Sequence, residues 1–174
     1  MTGIELGREE ITALLIELGD ELAERGVRGE LFLVGGAAMV LAYNTRRMTA
    51  DVDAVFEPKQ VIYSAAERVA SHHPGLQPDW LNDGVKGFLP GADPNARTAI
   101  ETPGIVVSSA SPEYLLALKV QASRIDRDED DIRILANLCD AHTADDVLAI
   151  AERIVGPGRL APKAQFIVQS IFPS

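Results

Sequence analysis

The sequence predicts an α+β fold, with a small sheet in the N-terminal half flanked by helices and a helical C-terminal half closing it. Three observations carry this expectation. Glu30-Leu31-Phe32-Leu33-Val34 is a short apolar, β-prone run that breaks at Gly35-Gly36, as a buried strand entering a tight turn does. Asp51-Val52-Asp53-Ala54-Val55-Phe56 alternates carboxylate and apolar residues at the two-residue period of a strand. From Pro112 onward, apolar residues recur almost throughout at helical spacing.

The remaining elements follow in order. Ile11, Leu14, Leu15, Leu18 and Leu22 make the apolar stripe of a helix between Arg8 and Arg25, with Gly26 as its stop. Ala37–Tyr43 reads as a helix, and Asn44-Thr45-Arg46-Arg47 as a polar turn. Lys59–Ser71 is a second amphipathic helix through Val61, Ile62, Ala65 and Val69; His72 to Asn95, rich in Pro, Gly, Asn and Asp, reads as a long irregular segment. Thr98–Thr102 and Ile105–Val107 flank Pro103-Gly104 as a hairpin. Ser111-Pro112 caps a helix to Ser123, Asp128 to Cys139 forms the next, Thr143 and Asp146 frame a capping box for Ala144–Ile154, and Pro162 opens a last helix. The organisation expected is an α/β core over residues 1–110 and a helical part over 111–174, packed with it as one unit.

Composition bounds the function. Of 174 residues, 47% are hydrophobic and 24% charged, which fits a globular chain and excludes low complexity and disorder. Sixteen bases against 26 acids give a net charge of −10, so any polyanion is gripped locally and not by the whole surface. The single cysteine, Cys139, has no internal disulfide partner; MTGIELGREE carries no apolar signal segment, and the longest uncharged stretches are too short to span a bilayer. The expected setting is cytoplasmic, without a membrane.

The chemistry concentrates in one constellation. Alternation on a strand puts Asp51 and Asp53 on one face, about 7 Å apart along the chain at roughly 3.3 Å per residue. Two such carboxylates repel unless a divalent cation lies between them, and hard oxygen ligands favour Mg²⁺ or Mn²⁺. Gly35 and Gly36 let backbone approach a ligand closely, and the helix that follows offers free N–H groups to phosphate.

The segment LVGGAAMVLAYNTRRMTADVDAVF resembles the signature of the minimal nucleotidyltransferase (DNA polymerase β-like) superfamily, in particular the AbiEii-like branch of toxin nucleotidyltransferases and related uncharacterised bacterial proteins. The resemblance implies a small mixed sheet flanked by helices, nucleotide contacts at Gly35, Gly36, Arg47 and Thr49, and metal ions at Asp51 and Asp53. It continues into SPEYLLALKVQASRIDRDEDDIRIL, where Lys119 stands at the family's lysine, Arg127-Asp128 at its Arg-Asp pair and Asp131 at the later acid. Two departures stand out. Ala37 takes a place where relatives carry a hydroxyl, and Glu101 is the one residue available as a third carboxylate, on a strand of unfixed register.

The function so implied is metal-dependent transfer of a nucleoside monophosphate from an NTP to an acceptor. The branch suggests RNA, such as a tRNA 3′ end, as acceptor, and a toxin role with a cognate antitoxin as partner. Asp51, Asp53, Lys119 and Asp131 are the expected catalytic residues. The alternative is a binding module of the same fold that is weakly active or inactive; a phosphohydrolase using the same acids fits the glycine-to-acid order less well. Residues with ordinary explanations include Trp80, read as the staple of a satellite core, Cys139 as an inert core thiol, and Asp128 as a helix cap. Arg46-Arg47 forms a local basic anchor for phosphate or RNA backbone.

Overall fold

The computed structural model describes residues 3–43, 48–122 and 124–174. The leucine stripe near the N-terminus becomes α1, Arg8–Glu24, which buries Ile11, Leu14, Leu15, Leu18 and Leu22. The apolar run becomes β1, Gly29–Leu33, and α2, Gly35–Tyr43, follows after one residue. That helix starts at the first glycine, two residues before the expected Ala37. The alternating segment is β2, Val52–Glu57, and the second amphipathic stripe is α3, Lys59–His72, with Ile62, Ala65 and Val69 buried. The hairpin is β4, Arg97–Thr102, and β5, Ile105–Ser109.

The stretch from His72 to Asn95 is less irregular than its composition suggests, because it carries a two-residue strand, β3, Leu81–Asn82, and a 3₁₀ turn at Lys86–Phe88. Trp80 explains how so short a strand holds. Its ring is buried, its indole N–H donates to the Ala66 carbonyl at 3.0 Å, and its own carbonyl accepts from the Val52 amide at 2.6 Å. This is the staple expected of it, and β3 is pinned beside β2.

The five strands run in the order β3-β2-β1-β5-β4. The sheet is mixed: β1 pairs β2 antiparallel and β5 parallel, while β3 joins β2 parallel and β4 joins β5 antiparallel. Neighbours in register share a face, so Leu33, Ala54 and Ser109 form one row. Burial follows the alternation. Leu31, Leu33, Val52, Ala54, Phe56, Ile105 and Val107 form the buried inner face; Phe32, Asp53 and Val55, on the other face, are only partly covered. Helices α1, α2 and α3 pack together with the strands as one core.

The chain divides into two compact units, Met1–Phe88 with Ala96–Ala110, and Leu89–Asn95 with Ser111–Ser174. The second is helical: α4, Pro112–Ala122; α5, Ile125–Leu138; α6, Ala144–Val155; and α7, Pro162–Ile171. Leu115, Leu116, Ile132, Leu135, Val147, Ile167 and Val168 are buried. The Ser111 hydroxyl accepts from the Tyr114 amide at 3.3 Å, as its position before the helix requires. Thr143 and Asp146 complete their capping box. The segment Leu89–Asn95 joins this unit through Asp93, whose carboxylate accepts from the Ser111 amide at 2.7 Å, and through Tyr114, whose hydroxyl donates to the Gly91 carbonyl at 2.6 Å. Burial first, and then the Asp93 charge, pushes the Tyr114 hydroxyl up to about 12.

Helix α5 begins at Ile125 and not at Asp128, which corrects the reading of Asp128 as a cap: it stands in the first turn and pairs with a lysine. Cys139 follows that helix half-buried, its thiol pushed up to about 11 by burial and then by the Glu113 charge, so the reactive thiolate is disfavoured. Among the described residues no helix is long and apolar enough to cross a membrane.

Candidate functional site

The site in the sheet unit grows from the junction of β1 and α2. The Val34 amide donates to the Asp53 carbonyl at 3.0 Å, which ties the end of β1 to the start of β2. At Gly35 the backbone takes φ +61°, a left-handed conformation that costs an L side chain strain. The space is filled as well: a Cβ there would lie 3.2 Å from Asp53 Oδ2, so the carboxylate rests against the bend. At Gly36 a Cβ would lie 2.9 Å from Thr49 Oγ1.

Thr49 is held in place by a two-way backbone bridge with Leu6, at 2.7 and 3.0 Å, and its hydroxyl donates to the Asp51 carbonyl at 3.0 Å. Asp51 precedes β2 by one residue, so strand geometry alone does not orient it. Asn82 does. It pairs with Asp53 in register on the neighbouring strand, and its side-chain amide donates to Asp51 Oδ2 at 3.3 Å. Asp53 and its register partner Asn82 therefore lie on the partly open face of β2, Asn82 reaches from there to the Asp51 carboxylate, and the glycine bend stands beside Asp53. Asn82 carries no sequence signal, since its strand is two residues long in a Pro- and Gly-rich stretch; only β-pairing brings it here.

The donor set suits a hard divalent cation. Both aspartates are partly exposed, and among the described residues no three His, Cys, Asp or Glu side chains converge into a self-sufficient cage. Mg²⁺ is characteristically held by one or two carboxylates, with water and substrate phosphates completing the shell. Ala37 is buried and gives the first turn of α2 no hydroxyl, so backbone amides are the hydrogen-bond donors that this residue leaves there.

Glu101 does not join this cluster. It lies opposite Val106, which pairs with Glu30, whereas Asp53 sits at the Leu33–Ser109 end of the sheet. Its carboxylate is taken by Arg28 at 2.8 Å. The residues of β4 level with the site are Arg97 and Thr98. Arg46 and Arg47 lie outside the described residues.

In the helical unit, Lys119, Asp128 and Asp131 come together. The Lys119 ammonium lies 2.7 Å from Asp128 Oδ1 and 2.9 Å from Asp131 Oδ2, with the three side chains only 19%, 10% and 2% exposed. A partly buried lysine between two buried carboxylates is a fixed cation whose partners would be costly to leave unpaired. Elsewhere, His72 and His73 both meet Glu17, at 3.0 and 2.6 Å, and His142 meets Asp140 at 2.8 Å. These pairs have no part in the site.

No curated protein and no solved structure matches the chain. A family does: the profile of DUF6036, described as a nucleotidyltransferase of unknown function, matches residues 13–152, and the chain belongs to that family.

Proposed function

Taking that family as the premise, we propose that the protein is a metal-dependent nucleotidyltransferase that moves a nucleoside monophosphate from an NTP to an acceptor and releases pyrophosphate. One observation supports this reading above the others: Asn82 links Asp51 to Asp53, its register partner, beside the Gly35–Gly36 bend. Asp51 and Asp53 hold the cation, Mg²⁺ or Mn²⁺, which when bound offsets phosphate charge and acidifies the attacking hydroxyl. The amides opening α2 cradle the phosphates, with the Thr49 hydroxyl bonded to the Asp51 carbonyl and leaving no room for a side chain at Gly36. The acceptor oxygen attacks the α-phosphorus, the bond to pyrophosphate breaks, and the hydroxyl proton leaves to Asp53 or to solvent. Arg47 belongs to the proposal through the resemblance.

Lys119 and Asp131 enter the proposal on the same footing. Lys119 is assigned to neutralising phosphate charge, and Asp131 to positioning that lysine, supported by the 2.9 Å pair between them. The acceptor we propose is RNA, for example a tRNA 3′ end, in the cytoplasm, with the activity acting as a toxin restrained by a cognate antitoxin; this rests on the resemblance to the toxin branch.

The test is to incubate the protein with each labelled NTP, Mg²⁺ and total RNA. Release of pyrophosphate with label on RNA supports the proposal. No transfer with any of the four nucleotides, to RNA or to cell protein, counts against it. The second reading, a nucleotide-binding module without turnover, draws on buried Ala37 and the absence of Glu101 from the site. It expects Asp51→Asn to leave any cellular phenotype unchanged, whereas the enzyme reading expects that substitution to remove it.

A further inference from the structure

A second feature of the sheet unit lies on the face turned away from Asp53. Between the start of α1, the end of α2 and strands β4 and β5 is a cleft of about 440 Å³, lined among others by Arg8, Thr12, Tyr43, Arg97, Ile100 and Ser109. That volume falls within the usual range of small-ligand sites, roughly 300–1,000 Å³. In a chain of net charge −10, this cleft has two arginines and no acidic residue in its lining. Neither Arg8 nor Arg97 has a carboxylate partner among the described residues, although most other arginines there do.

Ser109 makes this more than a basic patch. On β5 the inward positions are Ile105, Val107 and Ser109, so a hydroxyl stands where the pattern calls for an apolar side chain. The residue is 2% exposed, and its Oγ has no hydrogen-bond partner among the described residues. A buried hydroxyl left unsatisfied destabilises the fold, and a ligand that accepts from it would remove that cost. Arg97 is its register partner across the ladder, and the register of β4 shifts between Thr98 and Ile100 beside them. Such irregularities often re-aim side chains near binding sites.

We infer that this cleft binds a phosphate group, carried by a ligand of about mononucleotide size. Arg8 and Arg97 supply paired guanidinium donors, Thr12 and Ser109 supply hydroxyls, and Tyr43 and Ile100 offer apolar wall to the rest of the ligand. Because Ser109 and Leu33 share a row, and Asp53 faces the other way, this site is separate from the carboxylate pair. The inference does not depend on the transfer chemistry proposed above.

The experiment is site-resolved amide NMR on the full chain, titrated separately with inorganic phosphate, AMP and a short oligoadenylate, without divalent cation. Shifts over Arg8–Thr12 and Arg97–Ile100 with phosphate, stronger with AMP, support the inference with a free nucleotide as source; shifts there with oligoadenylate alone support it with a strand phosphate as source. Arg8→Ala and Arg97→Ala, both exposed positions, each weaken binding by about tenfold or more. Ser109→Ala weakens binding while leaving the unfolding midpoint unchanged or higher, because it removes a hydroxyl that only the ligand satisfies. No shift in these segments with any of the three probes, or the same affinity in all three variants, overturns the inference. Label transfer can succeed or fail regardless of either result.

Discussion

Gly35→Ala separates backbone strain from damage to the site, provided Gly26→Ala is measured beside it. Both glycines have left-handed backbone, with φ +61° at Gly35 and +69° at Gly26, so each alanine costs roughly 1–2 kcal/mol of strain. For a chain of this size that is a fall in Tm of about 2–8 °C. Only the surroundings differ: a Cβ at Gly26 meets nothing within 4 Å, whereas at Gly35 it lies 3.2 Å from Asp53 Oδ2, tighter than ordinary van der Waals contact. The Asp53 carboxylate must give by a few tenths of an ångström. Holding reacting groups in place is worth much of an enzyme's rate, and a displacement near 1 Å costs on the order of 100-fold, so a partial shift should cost about tenfold. The assays are thermal unfolding by circular dichroism and label transfer from NTP at saturating Mg²⁺. Gly35→Ala should transfer about tenfold more slowly while Gly26→Ala keeps the wild-type rate, with similar losses of stability. Equal transfer in the two variants would refute the placement of Asp53 in the reacting site.

Other expectations follow from the packing and the charges. Lys119→Met leaves Asp128 and Asp131 facing each other in the interior, and should cost about 3–5 kcal/mol in urea unfolding; adding Asp128→Asn and Asp131→Asn should recover most of it. Melting of Lys119→Met at the wild-type midpoint would contradict the pairing, and loss of transfer in the stable triple variant would assign the Lys119–Asp128–Asp131 cluster as a whole to the activity. Trp80→Ala removes the staple of β3 and should cost about 3–5 kcal/mol, checked by denaturant unfolding followed by circular dichroism, since Trp80 is also the one tryptophan whose fluorescence could report it. Hydrogen bonds from Lys59 and then Tyr63 hold the Asp83 carboxyl below its ordinary 3.8, so the unfolded chain binds more protons in acid. Its stabilisation is present above pH 3.8 and lost as pH falls through the lower folded value; Asp83→Asn should flatten that limb of a Tm-against-pH curve. The Lys59 end of the pair, raised above 10.5 by Asp83, loses its contribution as pH climbs through the raised value.

What the sequence made legible follows physical range. Leu14, Leu15 and Leu18 announce their helix because helical periodicity is local, and Asp53 announces its face because strand alternation is local too, whereas Asp51 falls one residue before the strand and takes its place from Asn82. The double glycine marks the bend, though the sequence places the helix start two residues late: a glycine is a poor helix former by propensity, and here the bend itself opens the helix. Asn82 was invisible because its place depends on pairing with β2 across more than two dozen residues of chain and on Trp80 beneath it. Glu101 looked available for the same reason, since strand order and register, which set it beside Arg28 at the other end of the sheet, are not written in a single strand. Asp128 reads as a cap from composition, and tertiary pairing with Lys119 overrides that reading.

The most direct test of the central claim is Mn²⁺-induced broadening of backbone amides in the full chain. The account expects broadening first at Gly35, Gly36 and Val52–Ala54, reversed by competing Mg²⁺ and abolished by Asp53→Asn in a protein that melts normally. Broadening concentrated elsewhere, or persisting unchanged in Asp53→Asn, would contradict it.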